Sequence, residues 1–171
     1  MNSTQEHQSK AKKQYPRVHC AIITVSDTRT EANDTSGQAI RDLLIHDNHL
    51  VDYYSILKDE PRQIVALLNV LSEKPDVEAI LLNGGTGIGR RDSTVEAVAA
   101  LLEKTMSGFG ELFRMLSYPE IGAAAMLSRA VAGTYRNKII FSMPGSTHAV
   151  RLAMEKLILP ELAHLVWEMK K

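Results

Sequence analysis

Short apolar runs alternate along this chain with stretches whose apolar residues recur every three or four positions. Residues 18–25 (VHCAIITV) are β-rich and almost wholly apolar, the pattern of a central strand buried on both faces. Residues 50–57 (LVDYYSIL) read as a second strand, and Ala79-Ile80-Leu81-Leu82 as a third. Between them, Ile40, Leu43 and Leu44 mark a short helix. Ile64, Leu67, Leu68 and Leu71 mark another, with Pro61 suited to its first turn. Val95, Val98, Ala99 and Leu102 share a further helical face, and Ser93-x-x-Glu96 reads as its capping box. Beyond Lys104 the pattern is broken by Gly108 and Gly110, so only short helices are expected, around 112–116 and 119–127. Met115, Met126 and Leu127 there suit a core or a subunit interface. Residues 130–136 and 138–143 read as strands joined by a turn at Asn137, hence antiparallel. Val150, Met154, Leu157 and Ile158 line a last helix that Pro160 bends or restarts. The alternation predicts an α/β layer fold with a mostly parallel sheet and an antiparallel hairpin near the C-terminal third. Residues 1–15 lack any apolar period and are expected to form a disordered polar tail ahead of a single domain over 16–171.

Composition narrows the function classes. A chain of 171 residues is large enough for one domain burying roughly 70% of its unfolded surface. Lys+Arg and Asp+Glu both number 20, so a zero net charge gives no support to a nucleic-acid or membrane partner. It also leaves little repulsion between copies, so an oligomer is unsurprising. Cys20 is the only cysteine and lies in an apolar run, which fits a buried thiol and a reducing, cytoplasmic setting. No apolar run approaches the roughly 18 residues of a membrane span. The six histidines show no metal-ligand spacing.

The chemistry concentrates where strands end. After the third strand comes Asn83-Gly84-Gly85-Thr86-Gly87-Ile88-Gly89, then Arg90-Arg91-Asp92 and the capped helix. Glycines open the backbone to φ > 0 and leave its N–H groups uncovered, and a helix N-terminus attracts negative charge. The spacing fits neither a P-loop, since no lysine follows, nor the dinucleotide fingerprint, since Arg90 and Asp92 stand where its third glycine would be. The loop is therefore either an anion cradle or a tight turn without a ligand. Asp92 repels phosphate unless a cation lies between them, which suggests Mg²⁺ carried in with a nucleotide; the plainer role is a helix cap, which Ser93 or Thr94 could serve equally well. Three other strand ends carry polar loops. The first holds Ser26, Asp27, Asp34, Thr35, Ser36 and Gly37, with Ser36 as a helix cap. The second holds Asp59, by spacing alone a helix cap, unless a parallel strand turns it toward Asp92. The last holds Pro144, Gly145 and Ser146. In open α/β sheets ligands bind at the carboxyl ends of parallel strands.

Several of these blocks together resemble one family. Gly84-Gly85-Thr86-Gly87 with Arg91-Asp92-Ser93-Thr94, Ser26-Asp27 with Asp34-Thr35-Ser36-Gly37, Gly108-Phe109-Gly110-Glu111 with Arg114-Met115-Leu116-Ser117, Leu127-Ser128-Arg129-Ala130, and Ser142-Met143-Pro144-Gly145-Ser146 resemble the MoaB/MogA family of molybdenum-cofactor proteins. The G domain of gephyrin is similar. The resemblance runs from Tyr15 to the end and is strongest to the MoaB branch. It implies a three-layer αβα domain, binding of molybdopterin, and assembly into homotrimers or homohexamers. It also implies adenylylation of molybdopterin with Mg-ATP, giving adenylyl-molybdopterin and pyrophosphate, or, as the alternative, a non-catalytic molybdopterin carrier. A different activity on the same fold, as in the related domain of the CinA proteins, is a further rival. By the same resemblance Asp59 and Asp92 are the catalytic acids, with Asp92 placing Mg²⁺. Ser26, Asp27, Ser36, Gly37, Gly84, Gly85, Thr86, Gly87, Arg91, Ser128, Pro144, Gly145 and Ser146 are the pterin- and nucleotide-binding residues. Other molybdenum-cofactor biosynthesis proteins are the expected partners.

Overall fold

The structure, a computed structural model, describes residues 3–171. Helix α1 (Ser3–Gln14) is followed by strand β1 (His19–Val25), α2 (Thr35–His46), β2 (Leu50–Leu57), α3 (Pro61–Glu73), β3 (Ala79–Asn83) and α4 (Thr94–Ala99). A two-residue strand β4 (Lys104–Thr105) leads into α5 (Ser107–Ile121) and a 3-10 turn (Gly122–Leu127). The hairpin β5 (Val131–Tyr135) and β6 (Lys138–Met143) then precedes α6 (Thr147–Ala153), a π turn (Met154–Ile158) and α7 (Leu159–Met169). The six strands form one sheet in the order β2-β1-β3-β6-β5-β4. β2, β1, β3 and β6 run parallel; β5 runs antiparallel to β6 on one side and to the two-residue edge strand β4 on the other.

Alternation along each strand sorts the core into two layers. Cys20, Ile22, Leu81, Phe141 and Met143 face α2, α5, α6 and α7 through Ile40, Leu44, Phe113, Val150 and Leu162. Ala21, Ile23, Ile80, Leu82 and Ile140 face α3 and α4 through Ile64, Leu68, Leu71 and Val98. Each central strand is thus buried on both sides, which is why its sequence is a continuous apolar run. β1 is followed by a helix on one face and β3 by a helix on the other. The sheet therefore reverses its winding between them, and the loops after β1 and β3 open a crevice at that point.

Two local readings differ from the structure, and two hold with added detail. The stretch 1–15, expected as a disordered tail, is helical from Ser3 to Gln14, with Ala11 buried and α1 lying against α7; residues 1 and 2 lie outside the described residues. Only every third or fourth residue of α1 needs to be apolar for this, and small Ala11 alone gives too weak a period to read. Gly108 and Gly110 do not interrupt a helix but lie in the first turn of α5. Gly110 packs there, since a Cβ on it would lie 2.6 Å from the Ala130 carbonyl oxygen. The turn of the hairpin is Arg136-Asn137, both at positive φ (46° and 59°), the twist that a two-residue antiparallel connection requires. Pro160, which has no N–H to donate, lies in the first turn of α7, one residue beyond the π turn, where the helix restarts as expected.

Candidate functional site

The loops that follow β1, β2, β3 and β6 meet at the carboxyl edge of the sheet, with Gly84 at their centre. Gly84 has φ 95° and donates its N–H to the Met143 carbonyl (3.1 Å). A Cβ there would lie 2.1 Å from the Val25 carbonyl oxygen, and one on Gly145 would lie 2.9 Å from the Gly84 Cα. Three loops can close on one another only because neither residue carries a side chain. Gly85 is also at positive φ (63°), where a Cβ would strike Thr94 Oγ1 and Asp59 Oδ2.

The two acids flank this loop in different ways. Asp59 does not cap its own helix: α3 begins at Glu60 without a side-chain cap. Its carboxylate instead crosses to the start of α4 and accepts from Ser93 Oγ (2.9 Å), the Ser93 N–H (3.3 Å) and Thr94 Oγ1 (3.4 Å). The capping box read at Ser93 and Glu96 is therefore replaced. Ser93 gives its hydroxyl to Asp59, and Glu96 turns to Arg129. That ion pair, through the guanidinium hydrogen bond, holds the Glu96 carboxyl below its usual range. Asp92 folds back on the glycine loop, where its Oδ2 accepts from the Gly89 N–H (3.0 Å). A Cβ on Gly87 would come within 2.7 Å of the same oxygen.

Arg129, in the sequence a member of the Leu127-Ser128-Arg129-Ala130 block, organises the loop. Its guanidinium donates to the carbonyls of Thr86 (2.9 Å), Gly87 (2.5 Å) and Asp92 (3.4 Å). In a trans peptide the N–H points opposite to its carbonyl. Drawing the Thr86, Gly87 and Asp92 carbonyls toward Arg129 therefore turns the Gly87, Ile88 and Ser93 N–H groups the other way. The Ser93 N–H meets Asp59; those of Gly87 and Ile88 have no acceptor among the described residues. Arg91 ties the neighbouring loops together at the surface, reaching Asp27 (3.1 Å) and Glu60 (3.3 Å). Asp27 Oδ1 in turn accepts from the Asp59 N–H. Arg90 is exposed.

The first loop is anchored by a buried carboxylate. Asp34, not Ser36, caps α2: it accepts from the Gly37 N–H (3.0 Å), Ser36 Oγ (3.0 Å) and Tyr54 Oη (2.6 Å), with Thr24 also facing it. Burial alone would raise its carboxyl, but the hydroxyls of Thr24 and Tyr54 with the donors of Gly37 and Ser36 outweigh it and hold the pKa below the usual value. The Tyr54 hydroxyl is pushed up by burial and by Asp34. Thr24 also accepts from the amide of Asn83 (2.9 Å), which links this anchor to the strand that carries the glycine loop.

Of the residues singled out in the sequence, Asp59, Gly84, Gly85, Thr86, Gly87, Arg91, Asp92, Asp27 and Gly145 come together around the loop. Ser26, half-buried, turns the chain after β1 by accepting from the Thr28 and Arg29 N–H groups. Together with Asp27, Arg29 and Lys58 it borders an open depression of 440 Å³. Ser36 and Gly37 are buried beneath the first loop, so they shape it and do not line it. Pro144 is half-buried, Ser146 caps α6 through the Ala149 N–H (3.2 Å), and Ser128 lies next to Arg129 in the chain.

A three-layer, doubly wound α/β domain with a glycine loop and two carboxylates at its switch point is the class of protein these features define. Residues 21–164 match the family model described as "Probable molybdopterin binding domain". The chain is 54% identical over 170 residues to a molybdenum cofactor biosynthesis protein B of Bacillus cereus, covering 99% of both chains. A crystal structure of a molybdenum cofactor biosynthesis protein B superposes with a TM-score of 0.88 at 55% identity, over 90% of this chain and 96% of that one. The tungsten cofactor synthesizing protein MoaB of Pyrococcus furiosus superposes with 0.81 at 35% identity, over 91% and 98%. The chain belongs to the molybdopterin-binding domain family of molybdenum-cofactor biosynthesis proteins, in its MoaB branch. Among the described residues, no helix is long and apolar enough to cross a membrane.

Proposed function

We propose that this protein binds molybdopterin across the four loops and adenylylates it with ATP. The observation that carries this reading is the glycine loop itself. Its Gly87 and Ile88 N–H groups face away from Arg129, beside two carboxylates and the start of α4. Such donors suit phosphate oxygens. A terminal phosphate oxygen of molybdopterin attacks the α-phosphorus of ATP. The bond to the bridging oxygen breaks, and pyrophosphate leaves with the electron pair. The attacking oxygen is already anionic near neutral pH, so no strong base is needed and catalysis is chiefly positioning and charge neutralisation. Asp92 suits a Mg²⁺ site: Oδ2 is held by Gly89, Oδ1 takes no donor among the described residues, and carboxylate oxygens are the ligands a hard cation prefers. That cation would offset the charge of the triphosphate. Asp59 holds the start of α4 in place and adds negative charge beside the loop. Arg29 and Lys58 at the depression offer charge to the remaining phosphates. The exposed apolar face of α5 and its 3-10 turn, with Leu112, Met115, Tyr118, Ile121, Met126 and Leu127, supports assembly of identical chains into a trimer or hexamer.

The test is adenylyl transfer by the purified protein with molybdopterin, ATP and Mg²⁺, read as pyrophosphate and adenylylated pterin. Asp92→Asn is expected to lower turnover by about 100-fold or more while fold and assembly are unchanged. A near-normal rate in that variant removes Asp92 from the reaction. Saturable pterin binding without pyrophosphate release in the wild type establishes the carrier reading instead. One feature favours that second reading: both acids are already engaged by loop donors, as purely structural carboxylates would be.

A further inference from the structure

On the side of the molecule where α1 meets α7, three metal-ligating side chains converge. His164 and Glu168 stand one turn apart on α7, and His7 faces them from α1. One ligand atom from each lies within 4.8 Å of the other two. The His164 Nε2 is 3.5 Å from Glu168 Oε1. Metal–ligand bonds of about 2.0–2.1 Å in a tetrahedral site put ligand atoms roughly 3.3 Å apart, so this pair is already near the required separation. His7 needs only a small side-chain adjustment.

The orientation of His164 is the second observation. Its Nδ1 lies 2.8 Å from Glu161 Oε2, an arrangement in which the Nδ1–H donates and the Nε2 lone pair is left toward Glu168 and His7. A carboxylate behind a histidine in this way fixes the tautomer and ring angle a metal needs. Glu161 is itself held from α1, since Gln8 donates to its other oxygen. His7 is further steadied edge-on against Trp167, with ring centroids 5.5 Å apart. One charge competes: Lys171 Nζ pairs with Glu168 Oε1 at 2.5 Å, and a metal would displace it.

We infer that His7, His164 and Glu168 form a site for a borderline divalent cation of the zinc class, which clasps α1 onto α7 and is supported by Glu161 behind His164. Two imidazoles and one carboxylate match the ligand preference of Zn²⁺ and leave a fourth position for water. Because one ligand comes from α1, binding is coupled to the docking of that helix. This site is separate from the glycine loop and does not depend on what that loop binds.

Tag-free protein titrated with ZnCl₂ against a chromogenic zinc chelator tests this. The expected result is one ion per chain, with affinity at least about tenfold lower in His7→Ala and in His164→Ala, and about 10- to 100-fold lower in Glu161→Gln. Lys171→Met should bind more tightly than the wild type. In parallel, trypsin cleavage at Lys10, Lys12 and Lys13 should slow on adding Zn²⁺ in the wild type and not in His7→Ala. Sub-stoichiometric binding, unchanged affinity in either histidine variant, or cleavage indifferent to Zn²⁺ in the wild type would overturn the inference. His7 is exposed, so its variant folds and the result stays interpretable.

Discussion

Asp59 is where the structure separates capping from chemistry most sharply, and its substitution by alanine and by asparagine should divide the two. The six-residue helix α4 has no side-chain cap of its own and is held at its N-terminus by a carboxylate from a different loop. Alanine removes the acceptor for the Ser93 N–H, a cap worth about 1 kcal/mol. It also removes the charge-assisted bond from Ser93 Oγ, worth about 1.5–3 kcal/mol at most and less for a half-buried group. The Thr94 hydroxyl, fully buried, loses its partner as well. The sum is about 2–3 kcal/mol, which at a urea slope of about 2 kcal/mol/M moves the unfolding midpoint by roughly 1 M. Asparagine keeps an oxygen at Oδ1 and should lose less than about 1 kcal/mol. Urea unfolding at fixed protein concentration reads the midpoints, and hydrogen exchange reads the amides of residues 94–99, which should open in the alanine variant alone. A loss below about 0.5 kcal/mol for alanine, or equal losses for both, refutes the capping argument. The folded asparagine variant then isolates the charge: turnover is expected to fall by about tenfold or more with pterin binding retained.

Other substitutions reach the rest of the loop cluster. Gly84→Ala drives a Cβ to 2.1 Å from the Val25 carbonyl oxygen at a φ of 95°, so it should cost more than about 3 kcal/mol and yield little soluble protein, with expression and urea unfolding as the measure. Arg129→Met leaves the Thr86 and Gly87 carbonyls without their donor; it should raise the KM for ATP and lower turnover by about tenfold or more in the adenylyl-transfer assay. Tyr54→Phe removes one of the donors to Asp34 and should cost about 2 kcal/mol at pH 7. The Asp34 carboxyl is depressed in the folded chain, so its contribution is present above the unfolded value of about 4 and is lost as pH falls through the folded one. The gap between Tyr54→Phe and wild type should therefore narrow on acidification below about pH 4, seen in unfolding curves taken across that range.

What could be read from the chain alone was whatever is written in neighbouring residues. The apolar runs of β1 and β3, the period of α3, Pro61 at its start and the glycines after β3 each act over a few positions, and each led to the right element. The resemblance of ordered blocks to one family carried the αβα architecture as well. Misreadings arose where a distant residue decides the outcome. Ser93 and Glu96 have the spacing of a capping box, but Asp59, 34 positions earlier, takes the serine, and Arg129, 33 positions later, takes the glutamate. Gly110 looks like a break, yet the Ala130 carbonyl gives it a packing role inside a helix. Ser36 has the chemistry of a cap and of a ligand contact, but Asp34 caps the helix and takes the hydroxyls of both Ser36 and Tyr54. The same logic applies to the candidate site. Asp92 was visible because an acid beside glycines is unusual, whereas Asp59 read as a helix cap by spacing and as a catalytic acid only through the family resemblance. Arg129 was visible as part of the Leu127–Ala130 block, but its hold on the glycine loop was not, because nothing local says which backbone carbonyls a guanidinium will reach. The loop's outward N–H groups are a property of a pair, Gly84 to Gly87 on one element and Arg129 on another, and only the sheet order that puts β6 beside β3, with β5 carried back along it, brings that pair together.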